Sequence, residues 1–147
     1  LMNKLLLLLF LIPNLVMGEN YLCITENATG FQYNLNNKSY SSATFKDGQK
    51  YIVKKIAGEW KAIIFGSKED SLINSMTKCS PLIDEEGIAV PKGTLAQITC
   101  EKFGGYFSIA INRMRFINVT YGSYLKPDNK GQFYADPAIE IGSCSSI

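Results

Sequence analysis

Four cysteines constrain this chain more than any other feature of its sequence. They are Cys23, Cys79, Cys100 and Cys144 in a chain of 147 residues, and four cysteines allow three pairings. We favour Cys23–Cys144, which would tie the first strand to the last, and Cys79–Cys100, which would close a short local loop. Because disulfides persist in oxidising compartments, the set predicts two structural bridges in a protein that folds outside the cytoplasm.

The first 18 residues have the pattern of an export signal. Lys4 precedes the apolar run 5–12, Pro13 breaks that run, and Val16 and Gly18 are small residues at the −3 and −1 positions of a cleavage site. The run is too short to span a bilayer. We therefore predict a signal peptide over 1–18, a single β domain over 19–147, and a periplasmic or secreted location.

The residues just before the first cysteine argue against a lipid anchor, since Asn20, Tyr21 and Leu22 precede Cys23 where small residues would be needed. We expect neither a membrane span nor a lipid anchor, and we expect a monomer.

Composition excludes several classes of function. The sequence contains no histidine, so histidine-based acid–base catalysis, Ser–His or Cys–His nucleophiles and His-ligated zinc are ruled out. No two cysteines have C-x-x-C spacing, and we predict no metal, no cofactor and no catalytic residue. Without the signal, Lys4 is lost and the formal net charge falls from +2 to +1, which argues against nucleic acid as a partner.

Turn signals recur throughout the mature chain, with short β-branched or aromatic stretches between them. The pattern predicts an all-β fold: a small antiparallel β-barrel or strongly curled sheet, with a lipocalin-like meander and at most one short helix. A two-sheet sandwich fits the same pattern. Stretches 31–35 and 107–111 alternate apolar and polar residues, so we expect each to bury its apolar face: Phe31, Tyr33 and Leu35 in the first, and Phe107, Ile109 and Ile111 in the second.

Three local signals refine this reading. Asp47-Gly48 predicts a two-residue hairpin turn between the strands around Phe45 and Tyr51. Gly104-Gly105 predicts a hairpin between the stretches 95–101 and 106–111. Ser67, followed by Asp70, has the form of a capping box that opens a helix of one to two turns.

Aromatic residues give the strongest indication of a binding surface. Eight tyrosines, seven phenylalanines and one tryptophan remain once Phe10 is removed with the signal, and tyrosine and arginine are enriched at contact surfaces. We predict a contact patch whose members carry aromatic or basic side chains: Arg113, Arg115, Tyr121, Tyr124 and Lys126. Alternatively, the tyrosines pack along the sheet and the arginines pair with acids at its rim.

Our first functional hypothesis is a non-enzymatic binding domain for a protein or a component of the cell envelope. A carrier of a small apolar ligand would need a hollow apolar interior. A small hydrolase would need two converging carboxylates, for which the candidates are the Asp84-Glu85-Glu86 turn and the pair Asp136 and Glu140. Because Glu140 lies between two isoleucines, alternation predicts that it points outward.

Three segments resemble short exported proteins of unknown function from Gram-negative bacteria. They are Tyr21-Leu22-Cys23, the stretch Gly30-Phe31-Gln32-Tyr33-Asn34, and the ending from Pro137 to Cys144. A small disulfide-tied barrel is also similar in plan to periplasmic inhibitors of C-type lysozyme, whose recognition loop carries a Ser-Gly pair before an aromatic residue. Gly122-Ser123-Tyr124 has the reverse order. The resemblance implies a small exported barrel, and the second similarity implies an inhibitor-like role.

Overall fold

The computed structural model describes residues 20–46, 48–66, 78–102, 104–121 and 136–147. Within these ranges the chain forms nine strands and no helix, which confirms the all-β prediction. The strands are β1 (Tyr21–Asn34), β2 (Ser39–Thr44), β3 (Lys50–Ile56), β4 (Glu59–Ile64), β5 (Lys78–Asp84), β6 (Thr94–Lys102), β7 (Gly105–Ala110), β8 (Arg115–Thr120) and β9 (Ala138–Ser146). The predicted signal peptide and the predicted helix after Ser67 lie outside the described residues.

Eight of the strands form a nearly closed antiparallel barrel in the order β4-β3-β1-β9-β8-β7-β6-β5. β2 lies outside this path and pairs with β1. The structure therefore decides between the two predicted architectures in favour of the barrel. The expected β6–β7 hairpin is also confirmed, with Lys102 opposite Gly105 and a positive φ of 72° at Gly104.

A seam remains between β4 and β5, the two ends of the sheet order. Cys79 lies opposite Cys100 with only 3.8 Å between their Cα atoms, the close spacing of a pair that does not exchange backbone hydrogen bonds. Hydrogen-bonded and non-hydrogen-bonded pairs alternate along an antiparallel pair of strands. The backbone of Ser80 therefore bonds to β6, and the backbone nitrogen of Pro81 points away from β6, toward the seam. Because proline has no N–H to donate, this edge of β5 cannot form a complete ladder with β4.

Both predicted disulfides are confirmed, and each joins two directly opposite residues of neighbouring strands. Cys23 on β1 pairs with Cys144 on β9, and Cys79 on β5 pairs with Cys100 on β6. Cys23 and Cys100 are fully buried in the barrel core. The bridges indicate an oxidising, non-cytoplasmic location.

The two ends of the barrel differ in character. The closed end contains the turns 57–58, 85–93 and 111–114 together with residues 20 and 147, and its interior is apolar. At this end and toward the middle, core residues include Tyr21, Val53, Trp60, Ile98 and Ile109. The predicted inward face of 107–111 is confirmed, since Phe107 and Ile109 are fully buried.

At the opposite end, β1 continues beyond the barrel and forms a two-stranded ribbon with β2. The ribbon spans residues 31–42 and turns at 35–38. Here the sequence prediction was wrong: Phe31 is 52% exposed and Leu35 67% exposed, because the alternating face of this stretch has no barrel wall opposite it. Tyr33 instead packs on Tyr40 across the ribbon, with ring centroids 4.9 Å apart.

The predicted hairpin at Asp47-Gly48 was also wrong, because β2 and β3 both pair with β1 and not with each other. Phe45 N donates to Ala28 O, and Thr25 N donates to Gln49 O. Gly48 N also donates to Thr25 O, so Gly48 and Gln49 both lie opposite Thr25, which is a β-bulge. β1 shifts register against β9 at the same level, between Thr25 and Asn27. Irregularities on both sides of β1 mark the place where the ribbon leaves the barrel.

Removing the two bridges should lower stability unequally. The Cys23–Cys144 bridge spans 121 residues of sequence and Cys79–Cys100 spans 21, so chain entropy assigns them about 5 and about 3 kcal/mol. We expect urea unfolding of the paired alanine variant at 23 and 144 to show the larger loss of unfolding free energy. An equal or larger loss for the pair at 79 and 100 would contradict this.

Candidate functional site

A polar cluster lies inside the barrel, between the aromatic core and the ribbon end. It consists of inward-facing residues from four strands: Tyr51 on β3, Lys102 on β6, Asn118 and Thr120 on β8, and Glu140 on β9. Tyr51 and Asn118 are buried, with 3% and 5% exposure. Buried polar groups are costly unless they are hydrogen-bonded.

Hydrogen bonds connect all five members of this interior polar cluster. Asn118 Nδ2 donates to the Tyr51 hydroxyl oxygen at 3.0 Å and to Glu140 Oε2 at 2.7 Å. The Tyr51 hydroxyl donates to the same carboxylate oxygen. Lys102 Nζ donates to Asn118 Oδ1 and to Thr120 Oγ1, both at 2.7 Å. Asn118 therefore links the acid to the base.

Burial and charge shift the acidity of two members of the cluster. Burial, reinforced by the hydrogen bond and charge of Glu140, raises the pKa of Tyr51 well above its usual range. Burial lowers the pKa of Lys102, and the negative charge of Glu140 opposes that shift. A neutral phenol that donates to a carboxylate, beside an ammonium held by two oxygens, is a satisfied network. These hydrogen bonds connect β3, β6, β8 and β9 inside the barrel, so the cluster is suited to a structural role.

Glu140 points inward, and the prediction that it faces solvent was wrong. Its two neighbours on β9 face outward instead: Ile139 is 46% exposed and Ile141 is 47% exposed. A signal in the sequence could have found this. Cys144 faces the core through its bridge to Cys23, and counting back by twos along the strand places Gly142 and Glu140 on the same inward face.

The outward isoleucines belong to an apolar strip on the barrel wall. Ile141 lies opposite Ile117, and Ile139 lies opposite Val119. Where the ribbon leaves the barrel, the strip meets Phe31 and Tyr121 in a groove with a volume of about 430 Å³. We call this groove the apolar crease; it is lined by Thr29, Gly30, Phe31, Ser42, Val119, Thr120, Tyr121, Pro137, Ala138 and Ile139.

Three of the residues predicted to form a contact patch lie in the described ranges, and they are divided between the two ends of the barrel. Arg113 lies in the turn at the closed end, and Arg115 begins β8 there, whereas Tyr121 follows the other end of that strand in the apolar crease. Six residues of strand separate Arg115 from Tyr121 by roughly 20 Å. Tyr124 and Lys126 lie outside the described residues.

Arg115 forms an ion pair at the rim of the barrel. Its Nη1 lies 2.7 Å from Glu26 Oε2, and both side chains are largely exposed. A hydrogen bond from Ser143, together with Arg115, lowers the pKa of Glu26. This is the alternative reading of the arginine, in which it pairs with an acid, and an exposed pair of this kind adds little stability.

The turn after β5 is a tightly bonded loop. Asp84, the last residue of β5, accepts four backbone N–H bonds, from Glu86, Gly87, Ala89 and Val90. Bonds led by those from Val90 and Ala89 hold the pKa of Asp84 well below its usual range. The carboxylate is therefore occupied by the loop that it organises.

The loop also carries an isolated apolar side chain, since Ile88 is 81% exposed at the closed end. Ile88 thus matches Ile139 in chemistry but lies at the opposite end of the barrel.

The acids proposed for a hydrolase have separate environments in the described part of the chain. Glu140 lies in the interior polar cluster, Asp84 organises its loop, and Asp136 Oδ1 accepts the Tyr33 N–H at the ribbon. No group of three or more His, Cys, Asp or Glu residues in the described ranges could hold a metal ion.

The interior expected for an apolar carrier is occupied by side chains at the level of the aromatic core. The rings of Tyr51, Phe107 and Phe116 pack against one another with centroids 5.2 to 5.6 Å apart. Phe107 and Ile109 are fully buried beside them. At this level the barrel resembles a packed core more than a ligand cavity.

The described residues contain no helix with the length and apolar character needed to cross a membrane. Comparisons with protein-family models, with curated proteins and with solved structures found no match to this chain.

Replacing Glu140 by leucine should destabilise the barrel by about 3 kcal/mol, because Asn118 Nδ2 and the Tyr51 hydroxyl would lose a buried acceptor. Glu140→Gln keeps an acceptor oxygen and should cost less. The control is Ile141→Leu on the outward face of the same strand, for which we expect a change within about 0.5 kcal/mol. Urea unfolding at neutral pH measures all three, and equal losses for Glu140→Leu and Ile141→Leu would show that the network is not holding the strands.

The raised pKa of Tyr51 predicts sensitivity to alkali. The folded state binds the hydroxyl proton of Tyr51 more tightly than the unfolded state does. Its contribution to the free energy of unfolding is therefore fully present below the ordinary tyrosine pKa of about 10 and is lost as the pH rises above that value. The free energy of unfolding should therefore fall less steeply between about pH 9 and about pH 11 in Tyr51→Phe. Tyr106→Phe, at a tyrosine 39% exposed, should retain the steeper fall of the unsubstituted protein. Parallel curves for Tyr51→Phe and the unsubstituted protein would refute this.

Proposed function

We propose that this chain is an exported, non-enzymatic binding domain that contacts another protein through its apolar crease. The signal pattern of residues 1–18 supports secretion or a periplasmic location. The observation that carries the proposal is the orientation of the side chains of β9. Glu140 points into the barrel, and Ile139 and Ile141 on the outer face are nearly half exposed.

An outer barrel wall of this kind is ordinarily polar, because alternation directs apolar residues to the core. Here two aliphatic pairs lie on the outer face, with Ile141 of β9 opposite Ile117 of β8 and Ile139 opposite Val119. Single exposed apolar residues are common in soluble proteins, whereas a contiguous apolar patch marks an interaction surface.

The shape of the crease favours a protein partner. The groove lies where the ribbon leaves the barrel, and Phe31 of the ribbon lines it together with Val119 and Ile139 of the barrel wall. Tyr121 adds a rigid ring with a polar hydroxyl, the type of side chain that dominates binding energy at protein contacts. An apolar side chain of a partner can contact both the ribbon and the barrel wall there.

Two matched variants test the proposal. Ile139→Asp places a charge in the crease, and Ile88→Asp makes the same change at the closed end. Oxidised mature protein serves as bait in an extract of the periplasm and cell envelope. We expect Ile139→Asp to weaken retention of the captured protein at least tenfold, as loss of a central apolar contact does, and Ile88→Asp to retain it.

Folding controls keep this result interpretable, since both variants must show the strand circular dichroism spectrum and no free thiol. Equal capture by both variants would place the contact elsewhere. Retention on phospholipid vesicles, lost in Ile139→Asp, would show that the apolar surface serves a membrane and would overturn the proposal.

A further inference from the structure

Ser42 and Thr44, on the outer edge of β2, carry backbone groups that no strand of the described sheet pairs with. β2 pairs with β1 alone in the described sheet. Phe45 N donates to Ala28 O at 2.9 Å, which fixes the alternation: Ala43 faces β1, and Ser42 and Thr44 direct their N–H and C=O groups away from the ribbon. Both of these residues are exposed.

Within residues 39–44 this edge lacks the lysine or proline that commonly protects an edge strand, and the nearest lysines and the bulge at Gly48 lie beyond the two ends of β2. Residues 39–44 contain neither a charged residue nor a proline, whereas β5 presents Pro81 at its own free edge. Natural sheets guard exposed edges with lysine, proline or bulges because an unguarded edge pairs with other chains. In the described part of the chain, β2 is therefore open to an additional strand at Ser42 and Thr44.

Two lysines border the open edge. Lys38 precedes β2 in the turn and Lys46 follows it, and both are exposed. Eight residues of extended chain separate them by roughly 26 Å. A strand lying along β2 thus meets positive charge at each end and an uncharged stretch between.

We propose that β2 accepts an extended segment of another protein as an added strand, and that this segment is uncharged in its middle and acidic at both ends. The inference rests on the proposed function and specifies how the partner binds. Main-chain hydrogen bonds to Ser42 and Thr44 supply pairing, as in other cases of strand addition. Because Ser42 also lines the apolar crease, alternate side chains of the added strand lie beside it.

A second copy of this chain fits the edge poorly. Antiparallel pairing of two β2 strands about Ser42 would place Lys38 of each copy opposite Lys46 of the other, and like charges directly opposite each other are destabilising. Charge complementarity thus selects an acidic-ended segment over self-association.

A designed peptide tests the proposal with the oxidised mature protein. The probe alternates threonine and valine over six residues and carries two glutamates at each end; the control peptide carries lysines in their place. Amide hydrogen exchange followed by NMR is the readout. We expect the acidic peptide to slow exchange at Ser42 and Thr44 at least tenfold and to leave Ala43 unchanged, because the Ala43 amide is already bonded to β1. The lysine peptide should have no effect.

A substitution adds a second requirement. Ser42→Pro removes an edge N–H that β1 does not use, and it should abolish the protection of Thr44. Lys38→Glu combined with Lys46→Glu should reverse the preference, so that the lysine peptide protects the edge. Retention of the ribbon is checked by the unchanged slow exchange of Ala43 in each variant.

Absence of protection at Ser42 and Thr44, or equal protection by both peptides, would overturn the strand-addition proposal. That failure is separable from failure of the proposed function. If Ile139→Asp still releases the captured protein while the peptide leaves the edge unprotected, the crease binds a protein by side-chain contacts alone. If the peptide protects the amides of Ser42 and Thr44 but Ile139→Asp captures the partner protein as well as the unsubstituted protein does, the apolar crease is not the main contact.

Discussion

Two sulfur cross-links determine which face of four strands lies inside the barrel. Each bridge joins directly opposite residues, Cys23 with Cys144 and Cys79 with Cys100, so both side chains of a pair lie on one face of the sheet. Since strand residues alternate, every second residue from each cysteine shares that face as far as the next β-bulge, which in β1 falls between Thr25 and Asn27. The rule places Ile98 in the core, and a one-residue slip would turn the whole strand inside out.

The same parity links stability to the exposed apolar surface. Counting from Cys144 puts Glu140 inside, where Asn118 and Tyr51 satisfy it. It equally puts Ile139 and Ile141 outside. The interior polar cluster and the apolar crease are therefore two faces of one strand, and a change of register in β9 would destroy both together.

Sequence reasoning recovered the features that depend on local pattern or on covalent chemistry. The all-β barrel, both bridges, the hairpin at Gly104 and the buried face of 107–111 followed from turn residues, cysteine spacing and alternation. The failures involve partners that are distant in sequence. Alternation at 31–35 identified a strand but not whether anything would cover it, and Phe31 and Leu35 proved exposed.

Two further failures have the same physical origin. Gly48 has the positive φ that a tight turn needs, 82°, yet long-range pairing with β1 placed it in a bulge. The orientation of Glu140 was misjudged because its apolar neighbours were weighed and the parity imposed by Cys144 was not. β8 separates two of the residues predicted to bind a partner, Arg115 and Tyr121, by its full length, and their role in binding stays a prediction.

The seam between β4 and β5 gives the barrel an asymmetry of its own. Neither bridge crosses it: one ties β1 to β9 and the other ties β5 to β6. Pro81 removes one donor from the ladder that could otherwise close it. The two bridges therefore leave β4 and β5 joined at this seam by noncovalent contacts alone, and a separation of the two strands there would break no disulfide.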